Sequence, residues 1–103
     1  MGLIKKMYSI PESRLKEWDV FYGKVADHIR DYTVPQYGKK GEDQVSSMTP
    51  QDISVQIKRY ANRVGSDQRG MDNALMDCFK MAHYSCMLYW MYLENMNAQQ
   101  ELA

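Results

Sequence analysis

The chain has little cysteine, little proline and no net charge. Its two thiols, Cys78 and Cys86, stand eight residues apart. On one helix that is about 12 Å along the axis, beyond the roughly 7 Å that a disulfide spans between Cα atoms. An internal disulfide is thereby excluded, and two free thiols point to a reducing, cytoplasmic setting. Thirteen basic side chains balance thirteen acidic ones. A generic nucleic-acid binder carries a surplus of Lys and Arg, so nucleic acid is disfavoured as a partner. Long hydrophobic runs are missing too. The longest, Tyr84–Leu93, is interrupted by Ser85 and covers about half of the roughly 20 residues that cross a bilayer. Lys5 and Lys6 break the apolar character of Met1–Ile10. Neither a membrane span nor a secretory leader is expected. There is no C-x-x-C, no H-E-x-x-H and no phosphate loop; Gly38-Lys39-Lys40-Gly41 is basic and flexible but lacks the phosphate-loop spacing. No Ser/His nucleophile arrangement is recognisable, so no catalytic residue is assigned and the balance leans away from an enzyme.

What remains is helical pattern. At 103 residues the chain makes one domain, 1–103, with a thin core. Residues 1–9 show no clear period and form an N-terminal arm. Ser9 with Glu12 fits a capping box, and Pro11 suits a first turn. From there Leu15, Trp18, Tyr22, Val25, Ile29 and Tyr32 recur at three- and four-residue steps, with Phe21 beside them. This is an amphipathic helix with one buried stripe, expected to end before Val34-Pro35. Residues 33–48, with Pro35, Gly38 and Gly41, read as a long connecting loop.

Thr49-Pro50-Gln51-Asp52 is a strong helix start: a capping hydroxyl, Pro at the first position and an acid three residues after the cap. Ile53, Ile57, Tyr60, Ala61 and Val64 form its apolar stripe, and Gly65 is placed to end it in a left-handed conformation. After a short loop over 65–70, a third helix runs from Met71 to about Asn97. Ala74, Leu75, Cys78, Phe79, Ala82, Cys86, Tyr89 and Leu93 make one face. Met71, Met76, Met81, Cys86, Met91 and Met96 repeat every five residues and so spread around the rod. A helix apolar on most sides is buried on most sides. Two shorter helices cannot enclose it, which predicts an all-α, three-helix chain assembled as a helical-bundle homo-oligomer.

The zero net charge hides a split. Residues 1–70 hold 12 basic and 9 acidic side chains, and residues 71–103 hold 1 and 4. Arg59 and Arg63 are four apart and share a helix face; with Gln56 they form a polar stripe able to grip phosphate through the bidentate arginine forks. The plainer reading is a solvated face. Asn73, Asp77, Lys80 and either His83 or Tyr84 form a sparse polar stripe on the greasy third helix. It reads equally as an intrahelical ion pair or as the lining of a cavity. His83 alone fits a core or interface histidine better than a base. The candidate ligand residues are Arg59, Arg63, Lys80, Asp77, His83, Tyr60 and Tyr84, the two tyrosines being able to stack on a base.

The run Ile57-Lys58-Arg59-Tyr60-Ala61-Asn62-Arg63-Val64-Gly65, followed by Asp77-Cys78-Phe79-Lys80-Met81-Ala82-His83-Tyr84, resembles small helical proteins of bacteriophages and prophages. In these a K-Y-x-x-R-x-G helix end precedes a D-x-x-K-x-A-x-Y helix. With Tyr37-Gly38 ahead of it, the pattern is similar to nucleotide-modification-associated helical domains and, more distantly, to all-α nucleotide pyrophosphohydrolases of the MazG type. The similarity covers residues 37–93. It implies a nucleotide ligand, with Mg²⁺ as the accompanying metal. The E-x-x-E and E-x-x-D motifs that hold Mg²⁺ in the pyrophosphohydrolases are absent. The matching helices carry only Asp52, Asp72 and Asp77, while Asp27 and Asp31 bring two carboxylates to a four-residue step on the first helix.

Two functional readings follow. The leading one is a small oligomeric accessory or interaction protein that binds a protein partner through its Met- and Tyr-rich last helix. The alternative is a binder of a nucleotide or another phosphorylated ligand.

Overall fold

A computed structural model describes residues 10–66 and 70–102, and among them there are helices and turns but no strand. The chain is all-α with three principal helices. The expected arm over 1–9, the Ser9 cap and residues 67–69 of the second loop lie outside the described residues.

Helix α1 spans Arg14–His28, so it begins later than the Ser9–Glu12 pattern suggests. Its cap is Ser13, whose backbone is extended and whose hydroxyl accepts from the Lys16 N–H at 3.2 Å. Arg14 pairs with Glu17 at 2.8 Å in the first turn. Pro11 accounts for the delay, because it biases the residue before it away from helix, and a good cap follows two residues later.

Nor does the helix stop before Val34-Pro35. It continues through a π turn, Ile29–Thr33, into a short helix α2, Val34–Tyr37. The Val34 N–H bonds to the carbonyl of Ile29, five residues back. In a regular α-helix the proline ring collides with the carbonyl four residues earlier. The wider π turn relieves that clash, and Pro35 enters in the first turn of α2, where a missing N–H does no harm. Gly38 ends α2 with φ 98° and ψ 168°, a region nearly exclusive to glycine. The segment expected as loop is therefore helical at its front. At its back, Gln44–Ser47 form a 3₁₀ turn capped by Asp43, which accepts from the Ser46 N–H at 3.0 Å and the Ser46 hydroxyl at 2.6 Å.

Helix α3, Pro50–Ser66, starts where Thr49-Pro50 places it. The Thr49 N–H donates to Asp52 Oδ2 at 3.0 Å, and the Asp52 N–H donates to Thr49 Oγ1 at 3.2 Å, a reciprocal capping box. Gly65 does not terminate it: α3 runs through to Ser66, and the left-handed glycine of this junction is Gly70, φ 84°. Helix α4, Met71–Leu102, is 32 residues long and outruns the expected end at Asn97 by five. Its length is about 48 Å.

Helix α3 packs on the N-terminal half of α4, and α1 touches α4 where Phe21 and His28 each lie 5.8 Å from Phe79. Only Ile53, Tyr60 and Asp77 are buried among the described residues. Two expected stripes are consequently misplaced. Along α1 and the π turn, Leu15, Trp18, Tyr22 and Tyr32 are exposed, while Phe21, Val25 and Ile29 are half-buried. On α4 the expected core face is only partly covered: Leu75, Cys86 and Tyr89 are exposed and Ala74, Cys78, Phe79, Ala82 and Leu93 half-buried, while the polar stripe through Asp77 and Lys80 turns inward against α3. The helices do not close around a core, and the molecule is a rod of 70 × 29 × 26 Å.

Candidate functional site

Tyr60 is the centre of the α3–α4 junction. Its one-residue and three-residue neighbours on α3, Arg59 and Arg63, hold their guanidinium carbons 5.0 and 5.1 Å from its ring centroid. Lys80 Nζ comes from α4 to 5.3 Å. Three cations around one aromatic ring draw on its quadrupole, and each such contact is worth about 0.5–2 kcal/mol depending on desolvation. The Tyr84 ring stacks near Tyr60 with centroids 5.9 Å apart. Arg59 also donates to the Tyr60 hydroxyl at 3.3 Å.

Behind this ring Arg63 Nε stands 3.7 Å from Asp77 Oδ2. In front of it lies a cavity of about 320 Å³, within the range of small-molecule sites. Of the seven candidates, Arg59, Tyr60, Lys80, His83 and Tyr84 line this cavity. Arg63 and Asp77 do not: they form the cross-helix ion pair on its far side. The spacing that put Asp77 and Lys80 on one side of α4 brought both to α3, but Asp77 is there as the counter-charge of Arg63.

Other wall residues were not among those seven candidates. His28 and Tyr32 come from α1 and the π turn, Tyr37 from α2, Asp43 from the 3₁₀ cap and Gln56 from α3. Tyr37 stood out by its place before Gly38, Gln56 by sharing the polar stripe of Arg59 and Arg63, and Tyr32 only as part of an apolar stripe; His28 and Asp43 carry no local motif. His28 stacks on Tyr32 at 5.0 Å, and Tyr32 meets Tyr37 edge-on at 6.4 Å.

The electrostatics favour an anion. Burial lowers the pKa of His83, and nearby His28 lowers it further, against an opposing pull from Asp43. Burial lowers His28 as well, with Lys80 adding to the effect. Both imidazoles are therefore held neutral at pH 7, leaving Arg59 and Lys80 as the cations of the wall and Asp43 as its carboxylate. Burial first, and Tyr60 second, push the Tyr84 phenol up, so that it stays a hydrogen-bond donor.

A metal finds less support. Asp27 and Asp31 share Arg30, 2.8 Å from Asp27 and 3.0 Å from Asp31, so the guanidinium already holds the place between the two carboxylates. These residues do not fit a Mg²⁺ site. Among the described residues no three His, Cys, Asp or Glu side chains gather as metal ligands, and no helix is long and apolar enough to cross a membrane. No family model, curated protein or solved structure matches the chain.

Proposed function

We propose that this chain is a helical binding protein for a small anionic ligand carrying an aromatic ring, with the chemistry of a nucleoside phosphate. One observation carries the reading: Arg59 and Lys80 flank the Tyr60 ring at the wall of a cavity whose other aromatic walls are Tyr84, Tyr32 and Tyr37. Arg59 and Lys80 supply phosphate donors, and a tyrosine face supplies a stacking surface for the base. The resemblance to nucleotide-handling helical domains agrees with this ligand class. The reading is one of binding rather than turnover, in a cytoplasmic setting suited to two free thiols.

Isothermal titration with AMP, GMP and ATP, with and without Mg²⁺, tests it. Saturable binding that does not depend on Mg²⁺ is expected. A complete lack of heat and of thermal stabilisation at millimolar nucleotide refutes it, since a ligand at a hundred times its Kd stabilises by about 2.7 kcal/mol.

The second reading, an accessory protein that binds a protein partner, is favoured by the fourteen large apolar side chains left exposed among the described residues. Exposed apolar patches mark interaction sites, and Leu75, Tyr89 and Tyr92 lie along one side of α4.

A further inference from the structure

The outer side of α4 carries Leu75, Cys78, Ala82, Ser85, Tyr89, Tyr92 and Met96. Their steps are three, four, three, four, three and four residues, the heptad spacing that keeps a seam on one side of a helix. Leu75, Tyr89, Tyr92 and Met96 are each more than half exposed. No charge interrupts the seam. Between Asp72 and Glu94 the only charged residues of α4 are Asp77 and Lys80, and both are engaged with α3. Helix α1 lies beside the seam, because its Phe21 meets Phe79, the α4 neighbour of Leu75 and Ala82. It adds Leu15, Trp18 and Tyr22 to the uncovered apolar surface.

The exposed area has room for a partner. A compact chain of 12.1 kDa exposes about 6000 Å². This one exposes 8618 Å². The excess of about 2600 Å² belongs to the whole elongated chain, and a standard interface takes only about 800 Å² of it from each partner.

We propose that the seam is the interface with a second copy of this chain, and that the two α4 helices run antiparallel about a two-fold axis between Ala82 and Ser85. Side-chain size sets the direction. Antiparallel about that point, Leu75 faces Tyr92 of the other copy, Cys78 faces Tyr89, and Ala82 faces Ser85. Small therefore meets large at Cys78, and the two smallest positions meet at the centre, where the helices approach most closely. In a parallel pair Tyr89 and Tyr92 would each meet their own copies and crowd, while Cys78, Ala82 and Ser85 would leave gaps. A two-fold axis also makes the contact closed and self-complementary.

Analytical ultracentrifugation of the full chain, with charge substitutions at Leu75 and Tyr92, decides the matter. The wild-type chain is expected as a dimer at micromolar concentration. Leu75→Glu and Tyr92→Lys are each expected to raise the dimer dissociation constant at least 100-fold. The double variant is expected to recover at least 10-fold of that, because each new glutamate then faces a new lysine. A wild-type monomer overturns the proposal and assigns the seam to a different protein. A trimer or larger species also overturns it. A double variant no better than the single ones overturns the antiparallel register, since in a parallel pair like charges would meet. Circular dichroism monitors helix content, and the wild-type mass is decisive even if a variant fails to fold.

Discussion

Arg63 on α3 and Asp77 on α4 form the ion pair that fastens the two helices, Nε to Oδ2 at 3.7 Å, with the carboxylate almost wholly buried. Breaking a buried pair from one side costs about 3–5 kcal/mol. Arg63 is 31% exposed, so water screens part of that interaction. Arg63→Ala is expected to cost about 2 kcal/mol in urea unfolding at fixed protein concentration. Arg59→Ala, which leaves the pair intact, is expected to cost less than about 1 kcal/mol.

Two glycines should respond in opposite directions to the same change. Gly38 sits at φ 98°, with Glu42 Cβ 3.5 Å from where a side chain would begin. Gly38→Ala is expected to destabilise by about 1–3 kcal/mol. Gly65 is helical, with nothing within 4 Å of its added Cβ. Gly65→Ala is expected to stabilise by about 0.5–1 kcal/mol. Denaturant midpoints of the two variants would show the split directly.

Acidification should weaken the fold through the cavity histidines. Burial lowers the pKa of both His28 and His83, so their folded values lie below the unfolded value of 6.5. Their contribution to stability is intact above pH 6.5 and is lost as pH falls through the folded values, because the unfolded chain then binds more protons. Melting temperatures from pH 8 to pH 4.5 are expected to decline on the acidic side. His83→Gln should flatten that decline, and an unchanged profile would count against the assignment.

Nucleotide affinity should depend on Arg59 and Lys80 separately. Arg59→Ala and Lys80→Ala are each expected to raise Kd about 10-fold or more, as the loss of one charge-assisted contact of about 1.5–3 kcal/mol requires. Tyr84→Phe should leave affinity nearly unchanged if stacking is the role of that ring, whereas Tyr84→Ala should weaken it. Titration calorimetry on the four variants separates charge from stacking.

Local chemistry was legible in the sequence and long-range covering was not. Thr49 and Asp52 cap each other because the chemistry of that start lies within four residues. Arg59, Tyr60, Lys80 and Tyr84 came together because helical spacing already placed them on facing sides of two helices. Ser13 caps α1 because a hydroxyl stands two residues past Pro11, a start as local as that of Thr49. Gly65 stayed helical because a glycine permits a left-handed turn without requiring one. The error over the α4 face had a different origin. Periodicity identifies an apolar side such as that of Leu75 and Tyr89, but it does not say which surface covers it, and α3 took the Asp77 side instead.

The π turn at Ile29–Thr33 does more than admit a proline. Tyr37 lies nine residues after His28, which in an unbroken α-helix would put the two on opposite sides of the rod. A widened turn sets the helical phase back by about one residue, about 100°. That correction swings Tyr37 round to the side of His28 and Tyr32, where all three share one wall. An even winding of the same nine residues would turn Tyr37 away, so the aromatic wall owes its third ring to an irregularity in the coil.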